Sequence, residues 1–188
     1  VDRMTIRKGE VVGILGENGS GKTTLLKAIA GIGDIRNGEI TIEGRPVTEQ
    51  YERLAFITEE GSYFPGMTPM QYGDFLADYF PRFDRALYAR LIELYHLPPR
   101  RKIRTFSKGQ KIELELSAGL AKKADCILMD EPFVGKDIFA RRTSLKQMVE
   151  GLTGEETMLI ATHLIDEIEN VIDRAIVLRH GLVRADVY

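Results

Sequence analysis

Between the apolar run Val11-Val12-Gly13-Ile14-Leu15 and the stretch that begins at Thr24 stand Gly16-Glu17-Asn18-Gly19-Ser20-Gly21-Lys22-Thr23. No other feature of the chain narrows its fold as much. The residues fit G-x-x-x-x-G-K-[ST] at every fixed position. Glycines let the backbone curl until successive N–H groups point inward at one anion. A helix starting at the end of the loop adds the positive end of its dipole. Lys22 supplies a mobile positive charge for the outer phosphates, and the Thr23 hydroxyl is a hard oxygen ligand suited to Mg²⁺. A chance match would not also lie after a strand and before a helix. The loop predicts a nucleoside triphosphate site but does not by itself separate kinases, GTPases and ATPases.

The rest of the chain suits an α/β domain around this loop. Its 188 residues are 44% hydrophobic and 29% charged, ordinary for one globular domain able to bury a core without staples. The net charge of −2 argues against a nucleic-acid partner, which usually needs a basic excess. The one cysteine, Cys126, lies in an apolar run and reads as core packing, in keeping with a reducing compartment. No apolar run approaches the ~20 residues of a membrane span, and no signal peptide is visible. The first residue is Val1 and a strand follows almost at once, so the N-terminus looks trimmed.

Short apolar runs and helical periods alternate along the chain. Strands are expected at Val11–Leu15, Glu39–Glu43, Leu54–Ile57, Ile127–Met129, Met158–Ala161 and Ala175–Leu178. Helices are expected at Thr24–Ala30, Asp137–Val149 and Leu164–Val171. Such alternation predicts a mostly parallel sheet covered on both faces. Residues from about 68 to 122 instead carry helix-period patterns, interrupted near Pro81 and at Pro98-Pro99, and predict a helical subdomain inserted in the α/β domain. Residues 1–188 are thus read as one domain.

Two further clusters carry chemistry. Cys126-Ile127-Leu128-Met129-Asp130-Glu131 is an apolar strand ending in two carboxylates. An acidic pair at an exposed strand end is common. Downstream of a P-loop, however, the first carboxylate at such a position holds Mg²⁺, the role expected of Asp130. Glu131 would then orient or deprotonate the attacking water. His163 ends another expected strand. A lone histidine is usually a surface or packing residue, but here an imidazole could hydrogen-bond the γ-phosphate and position Glu131.

Taken in order, these residues resemble the ATP-binding-cassette (ABC) family. Gly16 to Thr24 looks like its Walker A. Phe106-Ser107-Lys108-Gly109-Gln110 looks like its signature, usually L-S-G-G-Q. Asp130-Glu131-Pro132 looks like Walker B with its catalytic Glu. Val134-Gly135-Lys136-Asp137 corresponds to the D-loop and His163 to the switch histidine. The resemblance implies an ATPase that binds ATP with Mg²⁺ through Gly16, Glu17, Asn18, Gly19, Ser20, Gly21, Lys22, Thr23 and Thr24. Glu131 and His163 would be catalytic, and Thr23, Glu59 and Asp130 would hold the metal. It also implies a head-to-tail dimer with a second such domain, identical or not, in which Ser107, Lys108, Gly109 and Asp137 touch the ATP held by the partner. An integral membrane permease subunit would be the other partner, placing the chain on the cytoplasmic face of the plasma membrane.

The departures are specific. Lys108 stands where glycine is usual in the signature, tolerable if its backbone is not forced to positive φ. The Q-loop position falls on Glu59, or alternatively Glu60, instead of Gln. Phe133, Val134 and Lys136 replace smaller or polar residues near the D-loop. No Tyr, Phe or Trp in Val1 to Val11 fits the family's adenine-stacking position. The aromatics Tyr63, Phe64, Tyr72, Phe75, Tyr79, Phe80 and Phe83 are expected to form the core of the helical subdomain, with one or two lining a groove for a membrane partner. The stretch from Phe56 to Asp84 looks like bacterial peptide or antibiotic exporters. A soluble, non-transport ABC ATPase of the Fe–S assembly or ribosome-associated type is the alternative, but tandem cassettes and charged linkers are lacking. An SMC-like DNA-repair ATPase would need heptads between Lys22 and Ser107, and none appear.

Overall fold

The computed structural model describes residues 3–33, 35–58, 64–132 and 153–188. Glu59, Glu60, Tyr63, the D-loop with Asp137, and the expected helix Asp137–Val149 lie outside the described residues.

A six-stranded sheet forms the frame, in the order β4-β5-β6-β1-β7-β8. Its strands are β1 (Val11–Leu15), β4 (Leu54–Ile57), β5 (Cys126–Asp130), β6 (Thr157–Thr162), β7 (Arg174–Arg179) and β8 (Leu182–Val187). All neighbours pair in parallel except β7 and β8, which form an antiparallel hairpin. The short strands β2 (Thr41–Ile42) and β3 (Arg45–Pro46) pair separately; the strand expected at Glu39–Glu43 is reduced to β2.

The apolar runs are continuous because both sheet faces are covered. Strand alternation sends Val11, Leu15, Ile127, Met129, Met158 and Ile160 into one core and Val12, Ile14, Leu128, Leu159 and Ala161 into the other. The second core is closed by helix α1 (Lys22–Ile29) through the fully buried Leu26. The first is closed by α4 (Lys108–Ala121) through Ile112, Leu116 and Leu120. Cys126 packs against the second core, and burial pushes its thiol up to about 12, so it behaves as an inert packing residue.

The expected helical insert is present. Helices α2 (Pro69–Tyr79) and α3 (Arg85–Leu94) pack with α4 around Tyr72, Leu76, Tyr88, Ile92, Leu114 and Ala118. Thr68 caps α2 by accepting from the Gln71 amide, and Asp84 caps α3 by accepting from the Leu87 amide. α4 buries residues on both sides, so it is the wall shared by the sheet and the helical subdomain. Most of the aromatic cluster is core, as expected: Tyr72 is buried, and Phe75, Phe80 and Phe83 pack against it. Phe64 and Tyr79 are exposed.

One expected element is different. Leu164–Val171 is not an α-helix; only Ile165–Glu167 forms a 3₁₀ turn, and the chain then continues in single turns. Long-range contacts override the helical pattern here. Ile168 and Ile172 must lie over Gly13, where an added Cβ would come within 2.9 and 3.0 Å of their Cδ1 atoms. Directly after, Asp173 accepts from the Val11 amide (2.8 Å) and its own amide donates to the Val11 carbonyl (2.7 Å).

The antiparallel hairpin is fastened by a buried charge. Arg174 donates to both carboxylate oxygens of Asp186 at 2.6 Å and to the Thr5 carbonyl at 2.7 Å, and it lies 3.5 Å from Glu10. The Asp186 bonds raise the Arg174 pKa, and Arg174 holds the Asp186 carboxyl below its ordinary value. Removing one partner of such a pair strands the other charges. Asp186 keeps some solvent contact, which moderates the loss. Arg174→Ala should therefore destabilise the fold by about 2 kcal/mol and lower the thermal midpoint by about 6 °C, read by calorimetry. An unchanged midpoint would show that the pair does not hold the hairpin.

Candidate nucleotide-hydrolysis site

Three neighbouring parallel strands, β5, β6 and β1, end at one level, and the candidate residues lie just beyond those ends. Leu15 of β1 pairs with Thr162 of β6, and Asp130 of β5 pairs with Ala161. Ligands of open parallel sheets bind at such carboxyl ends.

The loop after β1 has the form its residues predict. A Cβ on Gly16 would strike the Ser20 side chain and lie 2.6 Å from the Leu178 carbonyl oxygen. Gly19 takes φ +80°, and Gly21 stands as a left-handed N-cap that offers α1 no side-chain cap. The first amides of α1 are therefore left open for an external acceptor. Lys22 is buried. Its Nζ donates to the Gly16 and Glu17 carbonyls at 2.6 and 3.0 Å and lies 3.8 Å from Glu131 Oε1. The charge is thus lodged in the mouth of the loop, in reach of an anion cradled there.

The two expected metal ligands meet directly. The Thr23 hydroxyl donates to Asp130 Oδ2 at 2.7 Å. The other carboxylate oxygen, Asp130 Oδ1, is buried and makes no hydrogen bond. A buried carboxylate oxygen without a partner is costly, and a divalent cation beside Thr23 would satisfy it. Mg²⁺ keeps most of its waters and needs only one or two protein oxygens, so this donor pair fits the ion.

Glu131 sits at the junction of all three strands. Its amide donates to the Ala161 carbonyl at 2.8 Å, carrying the β5–β6 ladder one residue further. Its φ is +44°, in the left-handed region that a glutamate seldom adopts. That turn brings its carboxylate over the end of β6. Oε2 accepts from the Thr162 hydroxyl at 3.1 Å, and Oε1 lies 2.9 Å from His163 Nδ1. Thr162 is itself oriented, because its Oγ1 accepts from the Leu164 amide at 3.1 Å.

The structure thus brings together Lys22, Thr23, Asp130, Glu131 and His163. Ser107 and Gly109 are not joined to them: among the described residues neither makes a hydrogen bond to the Gly16–Thr24 loop. Ser107 is the exposed N-cap of α4. Its Oγ accepts from the Gln110 amide, and the Gln110 side chain accepts from the Ser107 amide. Lys108 opens the helix and is not among the residues with positive φ, so a side chain is accommodated there.

Two participants were not foreseen from the sequence. Thr162 is one; the only local signal is a hydroxyl residue directly before His163. The other is the β7–β8 turn. The Gly181 amide donates to the Ser20 carbonyl at 2.9 Å, and Arg179 and His180 join residues 16–20 around a cavity of about 340 Å³.

With this geometry in place, likeness to known proteins decides the family. The ABC transporter family model matches residues 2–134. The chain belongs to the ABC transporter family. Among curated relatives, it is 33% identical over 91% of its length to the ABC transporter ATP-binding protein YtrB of Bacillus subtilis, covering 60% of that protein. It is 32% identical over 96% of its length to the ABC transporter ATP-binding protein NatA of Bacillus subtilis, covering 77% of it. The chain spans about three fifths of the first curated relatives it matches. Among solved structures, an ATP-binding subunit of an ABC transporter superposes with a TM-score of 0.85 at 26% identity, over 97% of this chain and 80% of that one. CbiO1 of Clostridium perfringens, described as part of the ABC transporter complex cbiONQ, shares the fold at a TM-score of 0.77 and 24% identity, over 98% of this chain and 79% of that one. The α/β P-loop fold with an inserted helical subdomain is that of the ABC ATPases.

The crowding around the loop separates two glycines that sequence alone treats alike. Gly16→Ala must displace the Leu178 backbone and should cost about 3 kcal/mol. Gly19→Ala meets nothing within 4 Å and carries only the left-handed penalty of about 1 kcal/mol. Denaturant unfolding of both variants checks the order; equal losses would contradict the close approach at Gly16.

Proposed function

We propose that this chain is the ATP-hydrolysing subunit of an ABC transporter, binding Mg-ATP through Gly16–Thr24 and powering a membrane partner. The observation that carries the reading is the placement of the Glu131 carboxylate, held by Thr162 and His163 and within 4 Å of Lys22 Nζ. A carboxylate so fixed beside the phosphate cradle is suited to act on a water aimed at the γ-phosphate. Residues 1–188 serve as one ATP-binding domain, with the helical subdomain at about 68–122.

Each residue then has a task. The loop amides and the open end of α1 hold the phosphate oxygens, and Lys22 moves from the loop carbonyls to the β- and γ-phosphates. Thr23 and Asp130 would hold Mg²⁺, with Glu59 as a further ligand. The ion, when bound, neutralises charge on the β- and γ-oxygens. Glu131 accepts a proton from water as its oxygen bonds to the γ-phosphorus. The bond from that phosphorus to the bridging oxygen breaks, and ADP and phosphate leave. His163 bonds Glu131 on one side and the γ-phosphate on the other.

Ser107, Lys108, Gly109 and Asp137 complete the site of a second ATP-binding domain. The position of Ser107 supports this, since it heads a helix fourteen residues long yet makes no bond to its own loop. ATP would then lie between the two domains and hold them together. Among the described residues no helix is long and apolar enough to cross a membrane. The proposed membrane partner is a permease subunit, with this chain at the cytoplasmic face of the plasma membrane. The exposed ring of Tyr79, packed on Phe75, is suited to line the groove that receives it.

Two variants test this reading. Glu131→Gln should leave ATP affinity near wild type and lower kcat by about 10²- to 10⁴-fold, while Lys22→Ala should weaken ATP binding itself. Equal turnover by Glu131→Gln would remove it as the base. Ser107→Arg should bind ATP as a monomer yet fail to dimerise or hydrolyse it, measured by light scattering and phosphate release; a dimerising, active variant would refute the shared site.

A further inference from the structure

The side chains that hold the Glu131 carboxylate are unlike one another. His163 Nδ1 lies 2.9 Å from Oε1, on a side chain that is 38% exposed. Lys22 Nζ lies 3.8 Å from the same oxygen. The Thr162 hydroxyl donates to Oε2 at 3.1 Å, and Thr162 is only 2% exposed. Among the described residues Thr162 is the one donor to Oε2.

That hydroxyl has a single proton, and its direction is set. Oγ1 accepts from the Leu164 amide at 3.1 Å, which takes up a lone pair and leaves the O–H to point at the carboxylate. The backbone beneath is fixed too, because Thr162 ends β6 and pairs with Leu15. The bond from Leu164 alone is an ordinary turn, in which a threonine ties down the amide two residues on. Such a turn has no need of the second bond, to a glutamate 31 residues away in sequence. Burial keeps water from taking the place of the hydroxyl, so its loss would leave the carboxylate oxygen short of a donor.

We propose that Thr162 is the positioning residue of the Glu131 carboxylate, holding Oε2 so that Oε1 faces the attacking water. The proposal rests on the reading of Glu131 as the group that takes a proton from that water. In that reading Lys22 leaves Oε1 for the phosphates as nucleotide binds, and the exposed His163 ring serves the γ-phosphate as well. Thr162 has no second task. It is the constraint that stays in place throughout, and it helps to keep Glu131 at φ +44°. The carboxylate is thus aimed before ATP arrives, and positioning of this kind lowers the barrier without adding affinity.

Phosphate release and nucleotide titration test it. Thr162→Val keeps the branched shape and removes the hydroxyl. Its kcat should fall about 10- to 100-fold, the scale of a slightly misplaced group. KM for ATP and the affinity for a non-hydrolysable ATP analogue should stay near wild type. Thr162→Ser restores the hydroxyl and should recover most of the lost turnover. In a Glu131→Gln background, Thr162→Val should cause no further loss of single-turnover hydrolysis, because the two residues act as one unit. A merely structural role gives the opposite pattern: lost affinity, no recovery with serine, and an equal loss in both backgrounds. That pattern, or full turnover by Thr162→Val, would overturn the proposal. Full turnover by Glu131→Gln would instead remove the base itself, so the two failures are told apart.

Discussion

The register of β5, β6 and β1 governs everything at the candidate site. Parallel pairing fixes which residues stand level, and a slip of one residue would turn every side chain to the opposite face. Here the pairing of Leu15 with Thr162 and of Asp130 with Ala161 stacks three strand ends side by side. The glycine loop after β1, the carboxylates and the histidine come from segments far apart in sequence. They meet because the alternating apolar residues of each strand must enter two different cores. Packing therefore sets the chemistry, and the Glu131 amide bond to Ala161 is the point where one becomes the other.

That bond also accounts for the backbone at Glu131. A glutamate at φ +44° costs free energy, on the order of 1 kcal/mol or more. It is held there by the ladder bond on its amide and by Thr162 and His163 on its carboxylate. An extended Glu131 would continue along the strand and send its carboxylate elsewhere. The strain is thus local and tied to the placement of a single group, as is common where a side chain must be aimed and not merely buried.

The loop after β1 was legible in the sequence because its constraint is local: three glycines, a lysine and a hydroxyl at fixed spacing. The strands were legible because burial on both faces leaves continuous apolar runs, and the helical insert because its period differs from theirs. Thr162 was not legible, since nothing near it in sequence announces that Glu131 will arrive. The β7–β8 turn was invisible for the same reason; its amide meets Ser20 only after the sheet has formed. Leu164–Val171 misled because its apolar spacing suits a helix, while the chain there takes a 3₁₀ turn and then ties Asp173 to Val11. In each case a long-range contact outweighed a local preference.

Lys108 opens α4, the helix that the sheet core and the helical subdomain share. It occupies the first turn of α4, where a cation opposes the positive end of the helix dipole. Ser107 and Gln110 spend their side chains on the end of the helix, which lowers the cost of leaving that end exposed. A helix beginning Ser-Lys-Gly, shared by the sheet core and the helical subdomain, is a poor choice for isolated stability. In the proposed shared site it becomes a good one, because the dipole, the lysine and the Ser107 hydroxyl would all act on the same polyphosphate. α4 is buried along both sides, between the sheet core and the helical subdomain. In the proposed dimer, an anion arriving there from a second ATP-binding domain would touch the one helix that both cores share.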